Sequence, residues 1–431
     1  MITKENGLKY AKLIHVSVDN GLTQQSNKVY IMEELADGRI QCQYGRVGKD
    51  LVTVYKQSRE WDKIYKQKTS AKKGYKDVTD MVVESVTTDS SSKKKSGDVA
   101  EIKERKVKEL FDDLMAFANK SIQKNYKVTQ ESVTQAQIDA AQEILDKAIK
   151  SVKKGMDVKT LNDLLIELYT IIPRKMKDVR DFLIKKADSK GDIDFVKEFL
   201  LNEQDTLDTM AGQVKLLKQQ KDTTSDNTSD VDDDVEFTLL DQMGIIATEE
   251  KDPKAISLVQ KLMGPNAHQM KRLIKCINTK TQATFDANLK KAKNKSRKLY
   301  WHGSRNENWF NIIQTGLMIR PSGAIHTGSM FGDGIYFANK AQKSIGYSSL
   351  RGSYWTGGGA NKGYLALFDV HTGEQKHITH HDRSCYSLSK SVISKDGFDS
   401  VYAHGGADLR NDEFIVYDGA QCTIAYIVEI G

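Results

Sequence analysis

Between residues 99 and 220, apolar side chains recur at three- and four-residue steps with a single proline, Pro173, in the way. A run of that length and period reads as a stack of amphipathic helices, because proline is the strongest breaker of a helical register. Thr134, with Gln137 three residues later, has the form of a capping box. Ile138, Ala141, Leu145, Ala148 and Val152 then fall on one face, and Gly155 is the expected stop. Asp157 is the expected cap of the next helix, which carries Leu161, Leu164, Leu165 and Leu168 and ends before Pro173. More helices are expected to about Leu217. The bundle holds no cluster of ligand-type residues, so chemistry must be sought on either side of it.

The flanks are built differently. Residues 1–80 read as β-rich: Lys28–Met32 and Gly38–Tyr44 are joined by an Asp37-Gly38 turn, and a helix is expected over Ser58–Thr69. Residues 84–98 are polar and aromatic-free, and residues 222–236 carry seven acidic and no basic residues, so both are expected to be linkers. A further helical stretch is expected over roughly 253–295. After Lys298 short β-type runs follow at Gly334–Phe337, Tyr364–Val370 and Phe414–Tyr417, which favours a mixed or antiparallel sheet.

Composition closes off several classes. The chain has 431 residues, 39% hydrophobic and 29% charged, enough for several domains. No stretch approaches the roughly 20 apolar residues needed to span a bilayer, and Met1–Tyr10 lacks a signal-peptide core, so no membrane role and an intracellular place are expected. Cys42, Cys276, Cys385 and Cys422 lie far apart without a CxxC pair, so neither a zinc module nor a disulfide framework is expected. Residues 1–80 carry 15 Lys and Arg against 10 Asp and Glu, a mild surplus that suits phosphate or ordinary solubility.

The chemistry concentrates after residue 298. Leu299-Tyr300-Trp301-His302-Gly303-Ser304 is followed by Met330-Phe331-Gly332-Asp333-Gly334-Ile335-Tyr336-Phe337-Ala338, by Lys343-Ser344-Ile345-Gly346-Tyr347, and by Asn411-Asp412-Glu413-Phe414-Ile415-Val416. Singly, a histidine after a strand, a strand tyrosine and a glutamate at a strand start have ordinary structural explanations. As an ordered set they resemble the catalytic domain of the poly(ADP-ribose) polymerase family, the His-Tyr-Glu class of ADP-ribosyltransferases. The likeness extends to the start of the chain. Tyr44-Gly45-Arg46-Val47-Gly48 looks like the core of a WGR domain with Tyr in place of Trp, and Lys72-Lys73-Gly74-Tyr75 like its ending. Gln137–Ala141 and Leu168–Pro173 resemble the family's helical regulatory domain.

The resemblance implies a multidomain α+β chain. Its parts are a β-rich WGR-like module over 1–83, a linker over 84–98, an all-α regulatory bundle over 99–220, an acidic linker over 221–236 and a mixed α/β ADP-ribosyltransferase domain over 237–431 with an antiparallel-rich split sheet. It implies NAD+ as substrate and no metal. His302 would grip the adenosine ribose, with Asn308 assisting on that side, and Ser304 would contact the donor. Gly303 and Ser344 would hold the nicotinamide amide, Tyr336 and Tyr347 would sandwich its ring, and Lys343 would lie near the donor. Glu413 would bond the ribose 2′-hydroxyl, stabilise an oxocarbenium-like transition state and polarise an acceptor hydroxyl.

A carboxylate at that position favours polymerisation on protein acceptors, the chain itself included. The alternatives are transfer of single units to protein or a DNA end, and a non-catalytic scaffold. DNA strand breaks are the expected partner of the WGR-like module through Tyr44, Arg46 and Lys49, with the bundle holding activity down until DNA docks. The chain is expected to be monomeric off DNA, nuclear in a eukaryote and in the cytoplasm or nucleoid elsewhere. Two departures stand out. The family's adenine-contacting arginine is replaced by Met318, with Arg320 nearby, and Thr372–Asp396 follows no family pattern.

Overall fold

The computed structural model describes residues 2–3, 7–18, 25–86, 101–125, 133–153, 157–225, 238–319 and 330–431. Gly155, Arg320 and most of both expected linkers lie outside the described residues. By contact the chain falls into two units, residues 1–95 with 120–217 and residues 96–119 with 218–431. Among the described residues no helix is long and apolar enough to cross a membrane.

The first unit contains an antiparallel sheet. Lys9–Val18, Gln25–Glu34, Arg39–Arg46 and Val52–Gln57 follow one another in space as in sequence. The Asp37-Gly38 turn closes the second hairpin: Gly38 has φ +78°, and the Asp37 carboxylate accepts from the Arg39 amide at 3.1 Å. The expected helix is a short 3-10 turn, Ser58–Glu60, running into Trp61–Thr69. Trp61 is buried with Leu13, Met32, Ile40 and Cys42.

Helices Gln135–Lys153 and Val158–Ile171 lie where their periodicity puts them. The Thr134 amide donates to Gln137 Oε1 at 3.1 Å and the Gln137 amide to Thr134 Oγ1 at 3.2 Å, a complete capping box. Asp157 accepts from the Lys159 and Thr160 amides. The segment after Pro173 is tied to the sheet by polar contacts. Asn27, 1% exposed, donates to the Arg174 carbonyl at 2.9 Å, and the Arg46 guanidinium donates to the carbonyls of Met176 and Lys177. Those bonds explain why module and bundle residues share one unit.

The second unit holds two sheets. The larger runs Ile245–Glu249, Met270–Asn278, Cys422–Ile430, Gly363–His371, Arg297–Gly303, antiparallel throughout. The smaller runs Ile335–Phe337, Glu413–Val416, Ser400–Ala403, Gln375–Ile378, with its last pair parallel. Trp301 and Ala338 exchange both backbone hydrogen bonds, 2.8 and 2.9 Å, and so stitch one sheet to the other. The larger core gathers Val259, Met263, Leu273, Trp301, Leu365, Leu367 and Val428, and the smaller Phe331, Cys385, Val401 and Ile415.

The expected helix over 253–295 is corrected. Pro253–Met263 and Thr279–Lys291 are helices, but Met270–Asn278 between them is a strand of the larger sheet. Leu273, Ile274 and Cys276 are buried there, and a helical register would have broken at Gly264-Pro265 in any case. The first part of helix Arg105–Asn125 also belongs to this unit. Asp113 accepts from Lys362 Nζ at 2.5 Å and from the Tyr364 hydroxyl at 3.2 Å, while Arg272 donates to the Lys106 carbonyl at 2.7 Å and pairs with Glu429 at 2.6 Å.

Candidate active site

Where the two sheets meet, the C-terminal motifs converge. His302 lies on Arg297–Gly303, and its Nδ1 donates to the Tyr336 carbonyl at 3.1 Å, which fixes that nitrogen as the protonated one. Trp309, Phe337 and Phe368 meet the imidazole edge-on with centroids 6.0–6.3 Å away. Gly303, next along the strand, is crowded: an ideal Cβ would lie 2.0 Å from the Ser344 carbonyl oxygen. Only glycine lets this strand approach helix Ala341–Ile345 so closely.

That helix brings Lys343 and the buried Ser344 to the site. Glu413 opens the strand Glu413–Val416 and is 8% exposed. Its Oε1 is ion-paired with Lys343 Nζ, and its Oε2 is buried with no hydrogen-bond partner among the described residues. A buried carboxylate oxygen left unpaired is costly, so it marks a place for a donor that arrives from outside.

Tyr336 pairs with Ile415 in the neighbouring strand. Its hydroxyl donates to the Gly332 carbonyl at 2.8 Å and accepts from the Phe331 amide at 3.0 Å. Burial pushes this phenol above its ordinary range, and the Glu413 charge adds to the shift against the opposing Phe331 amide. Burial, then the Glu413 charge, pushes Tyr347 up to about 12. Both rings therefore stay neutral. The pairing of Ile335–Phe337 with Glu413–Val416, the Lys343–Glu413 ion pair and the Tyr347 amide's bond to the Ser344 carbonyl at 3.1 Å bring the segments that carry both tyrosines to Glu413. On the strand side, Ser304 Oγ accepts from Asn308 Nδ2 at 3.1 Å.

Residues that the motifs do not pick out hold Glu413 in place. The Asp412 carboxylate accepts from the Gly405 amide at 2.8 Å, Asn339 Nδ2 at 2.9 Å and the Tyr402 hydroxyl at 3.1 Å. Asp412 stands beside Glu413 in the sequence, but its partners arrive from distant loops, so only its position hinted at a role. The Phe414 ring stacks on Tyr300 at 4.1 Å.

The residues expected to contact DNA lie in the first unit, and Met318 in the second. Tyr44 is 36% exposed and stacks on Tyr30 at 5.6 Å and 15°, so it is neither core nor fully free. Lys49 is exposed in a turn. Arg46 is engaged by the carbonyls of Met176 and Lys177. Met318 is 50% exposed.

Two antiparallel-rich sheets that bring a buried glutamate paired with a lysine together with the His302 and Tyr336 strands are the setting of a transferase, and the family match says which: an ADP-ribosyltransferase that takes NAD+ as substrate. The family model of the poly(ADP-ribose) polymerase catalytic domain matches residues 253–431. Protein 101L of Invertebrate iridescent virus 6, itself uncharacterised, is 34% identical over 206 residues, covering 48% of this chain and 78% of its own. The poly [ADP-ribose] polymerase-like protein 100L of the same virus is 32% identical over 155 residues, 35% of this chain and 80% of its own. The chain belongs to the poly(ADP-ribose) polymerase family. The mouse protein mono-ADP-ribosyltransferase PARP3 is 25% identical over 363 residues, 75% of this chain and 63% of its own, so that likeness extends beyond the catalytic segment.

Proposed function

We propose that this chain cleaves NAD+ between nicotinamide and ribose and builds poly(ADP-ribose) on protein acceptors, itself included, in response to DNA strand breaks. The observation that carries the chemistry is Glu413, buried, held at one oxygen by Lys343 and unpaired at the other among the described residues, on the strand that pairs with the strand of Tyr336. The free oxygen suits the ribose 2′-hydroxyl, and the fixed negative charge suits the cationic ribose of the transition state. His302, with Asn308, suits the adenosine ribose, and Ser304 suits a contact with the donor. Gly303 and Ser344 suit the carboxamide, and the two tyrosine rings suit the nicotinamide.

For DNA, the proposed surface is the WGR-like face carrying Tyr44 and Lys49. Arg46 is already bonded to two carbonyls, so its proposed phosphate contact requires those bonds to be exchanged. That requirement supports a proposal in which DNA docking loosens the helical segment and raises activity.

The test is labelled NAD+ incubated with the full chain, with and without nicked duplex DNA, followed by nicotinamide release and product sizing. A DNA-stimulated ladder is expected. Glu413→Gln should keep NAD+ binding and lose about 10²–10³ in release. Unchanged release would remove Glu413 from the chemistry, and no DNA response would remove the strand-break reading. Single-unit product would favour the second reading, transfer of one ADP-ribose, which the similarity to the mouse mono-transferase supports.

A further inference from the structure

Trp355 is the one tryptophan the core does not use. The chain has four, and Trp61, Trp301 and Trp309 are 1%, 1% and 0% exposed, whereas Trp355 is 60% exposed. Exposure alone assigns such a side chain no role; what it stacks on does. Its ring lies stacked on Tyr347, with centroids 5.9 Å apart and planes at 20°. Tyr347 follows helix Ala341–Ile345, its amide donating to the Ser344 carbonyl at 3.1 Å, and Lys343 of that helix is ion-paired with Glu413. The phenol thus has Trp355 stacked on it and sits on the segment that leads from the Lys343–Glu413 pair.

The loop that delivers Trp355 is built to hold it. The Arg351 amide donates to the Ala360 carbonyl at 2.8 Å, the Ala360 amide to the Ser349 carbonyl at 3.0 Å, and the Gly352 amide to the Gly358 carbonyl at 3.1 Å. Ser348 and Ser353, 0% and 5% exposed, are hydrogen-bonded at 3.1 Å beneath it. Trp355's own amide donates to the Gly346 carbonyl at 2.9 Å. Gly346 makes room for the indole, since a Cβ there would lie 2.9 Å from Trp355 Cδ1. A closed loop with a buried hydrogen-bonded base stacks an exposed ring on Tyr347, while the neighbouring Tyr354 meets the same indole edge-on at 4.7 Å.

We propose that Trp355 is a positioning residue for the donor: it backs Tyr347 and fixes the plane of the phenol that meets the nicotinamide ring. The inference rests on the reading of Tyr347 as a nicotinamide contact. A phenol braced from behind offers its other face without losing rotamer freedom on binding, so the brace strengthens binding of donor and leaving group alike.

Nicotinamide binding is measured by calorimetry on the full chain, alongside KM and kcat for nicotinamide release from NAD+. Trp355→Ala should weaken nicotinamide binding and raise KM together, by between about twofold and tenfold, the worth of one aromatic pair. Its kcat should stay within about twofold. Trp355→Phe should recover most of the loss. Gly346→Ala keeps the indole but displaces it, and should shift binding in the same direction; it carries the test if Trp355→Ala does not fold. Unchanged KM and nicotinamide affinity in Trp355→Ala, or a loss confined to kcat, would overturn the proposal. A wild-type chain that neither binds nicotinamide nor releases it sinks the reading of the Tyr347 site itself, and the inference with it. A fully active wild type beside an unaffected variant sinks the inference alone.

Discussion

At Gly303 the space for a side chain is already filled. An ideal Cβ would lie 2.0 Å from the Ser344 carbonyl oxygen, and backbone cannot rotate out of the way as a long side chain can. Gly303→Ala should therefore push the His302 strand from the Lys343 helix, cost about 1–3 kcal/mol of stability and lower NAD+ turnover at least tenfold. Denaturant unfolding and nicotinamide release measure the two effects, and wild-type values in both would contradict the crowding. Asp412 illustrates a different control. Partial burial raises its pKa, but the Gly405 amide, Asn339 and Tyr402 outweigh burial and hold it below the ordinary carboxylate value. A carboxyl depressed in the folded state contributes stability that is complete above its unfolded pKa, about 3.9, and is lost as the pH falls through the folded value. The melting temperature of the wild type should thus fall more steeply below about pH 4 than that of Asp412→Asn. Parallel curves would show that Asp412 contributes nothing through its charge.

The strand Arg39–Arg46 ends on the arginine that the family resemblance assigns to DNA, and in the structure this arginine does an architectural job. Its guanidinium bonds the carbonyls of Met176 and Lys177, backbone groups of the irregular segment between Val158–Ile171 and Val179–Phe182 that no ladder satisfies. Arg46→Ala should lower stability by about 1–3 kcal/mol in the absence of any DNA, the usual effect of losing hydrogen bonds from a charged donor. An unchanged unfolding midpoint would return Arg46 to a purely nucleic-acid role. Such contacts mark the limit of what local pattern reveals. Thr134, Gln137 and Asp157 act within one turn of chain, so their caps were readable, as was the Asp37-Gly38 turn. His302, Tyr336 and Glu413 were readable as a motif. The strand Met270–Asn278 was not, because nine residues between two helices carry too little alternation to declare a strand until Cys422–Ile430 pairs with it. Asp113 gave no signal either: its meaning depends on Lys362 and Tyr364, about 250 positions away. Trp355 escaped notice for the same reason, since its partner Tyr347 is defined only once the loop closes.

For the whole molecule, two units with separate cores predict two unfolding events, which identify themselves by what moves them. The first unit contains Arg174 and Glu203, paired at 2.8 and 2.6 Å with side chains 5% and 6% exposed. Removing one partner of so buried a pair leaves the other charge without compensation and costs about 3–5 kcal/mol. The second unit contains the His302–Glu413 site, so a ligand that binds there stabilises that unit by RT ln(1 + [L]/Kd) and leaves the other alone. Calorimetric scans of the full chain should therefore show two transitions. Nicotinamide in excess should raise only one of them, and Arg174→Ala should lower only the other. If a single transition responds to both perturbations, the units unfold as one body, and changes made in the first unit would then reach the catalytic site through global stability alone. Separate responses would leave the proposed DNA dependence to be carried by a conformational link between folded units, and a Glu413→Gln chain, inactive but still folded, is the protein in which to measure that link by DNA-dependent nicotinamide binding.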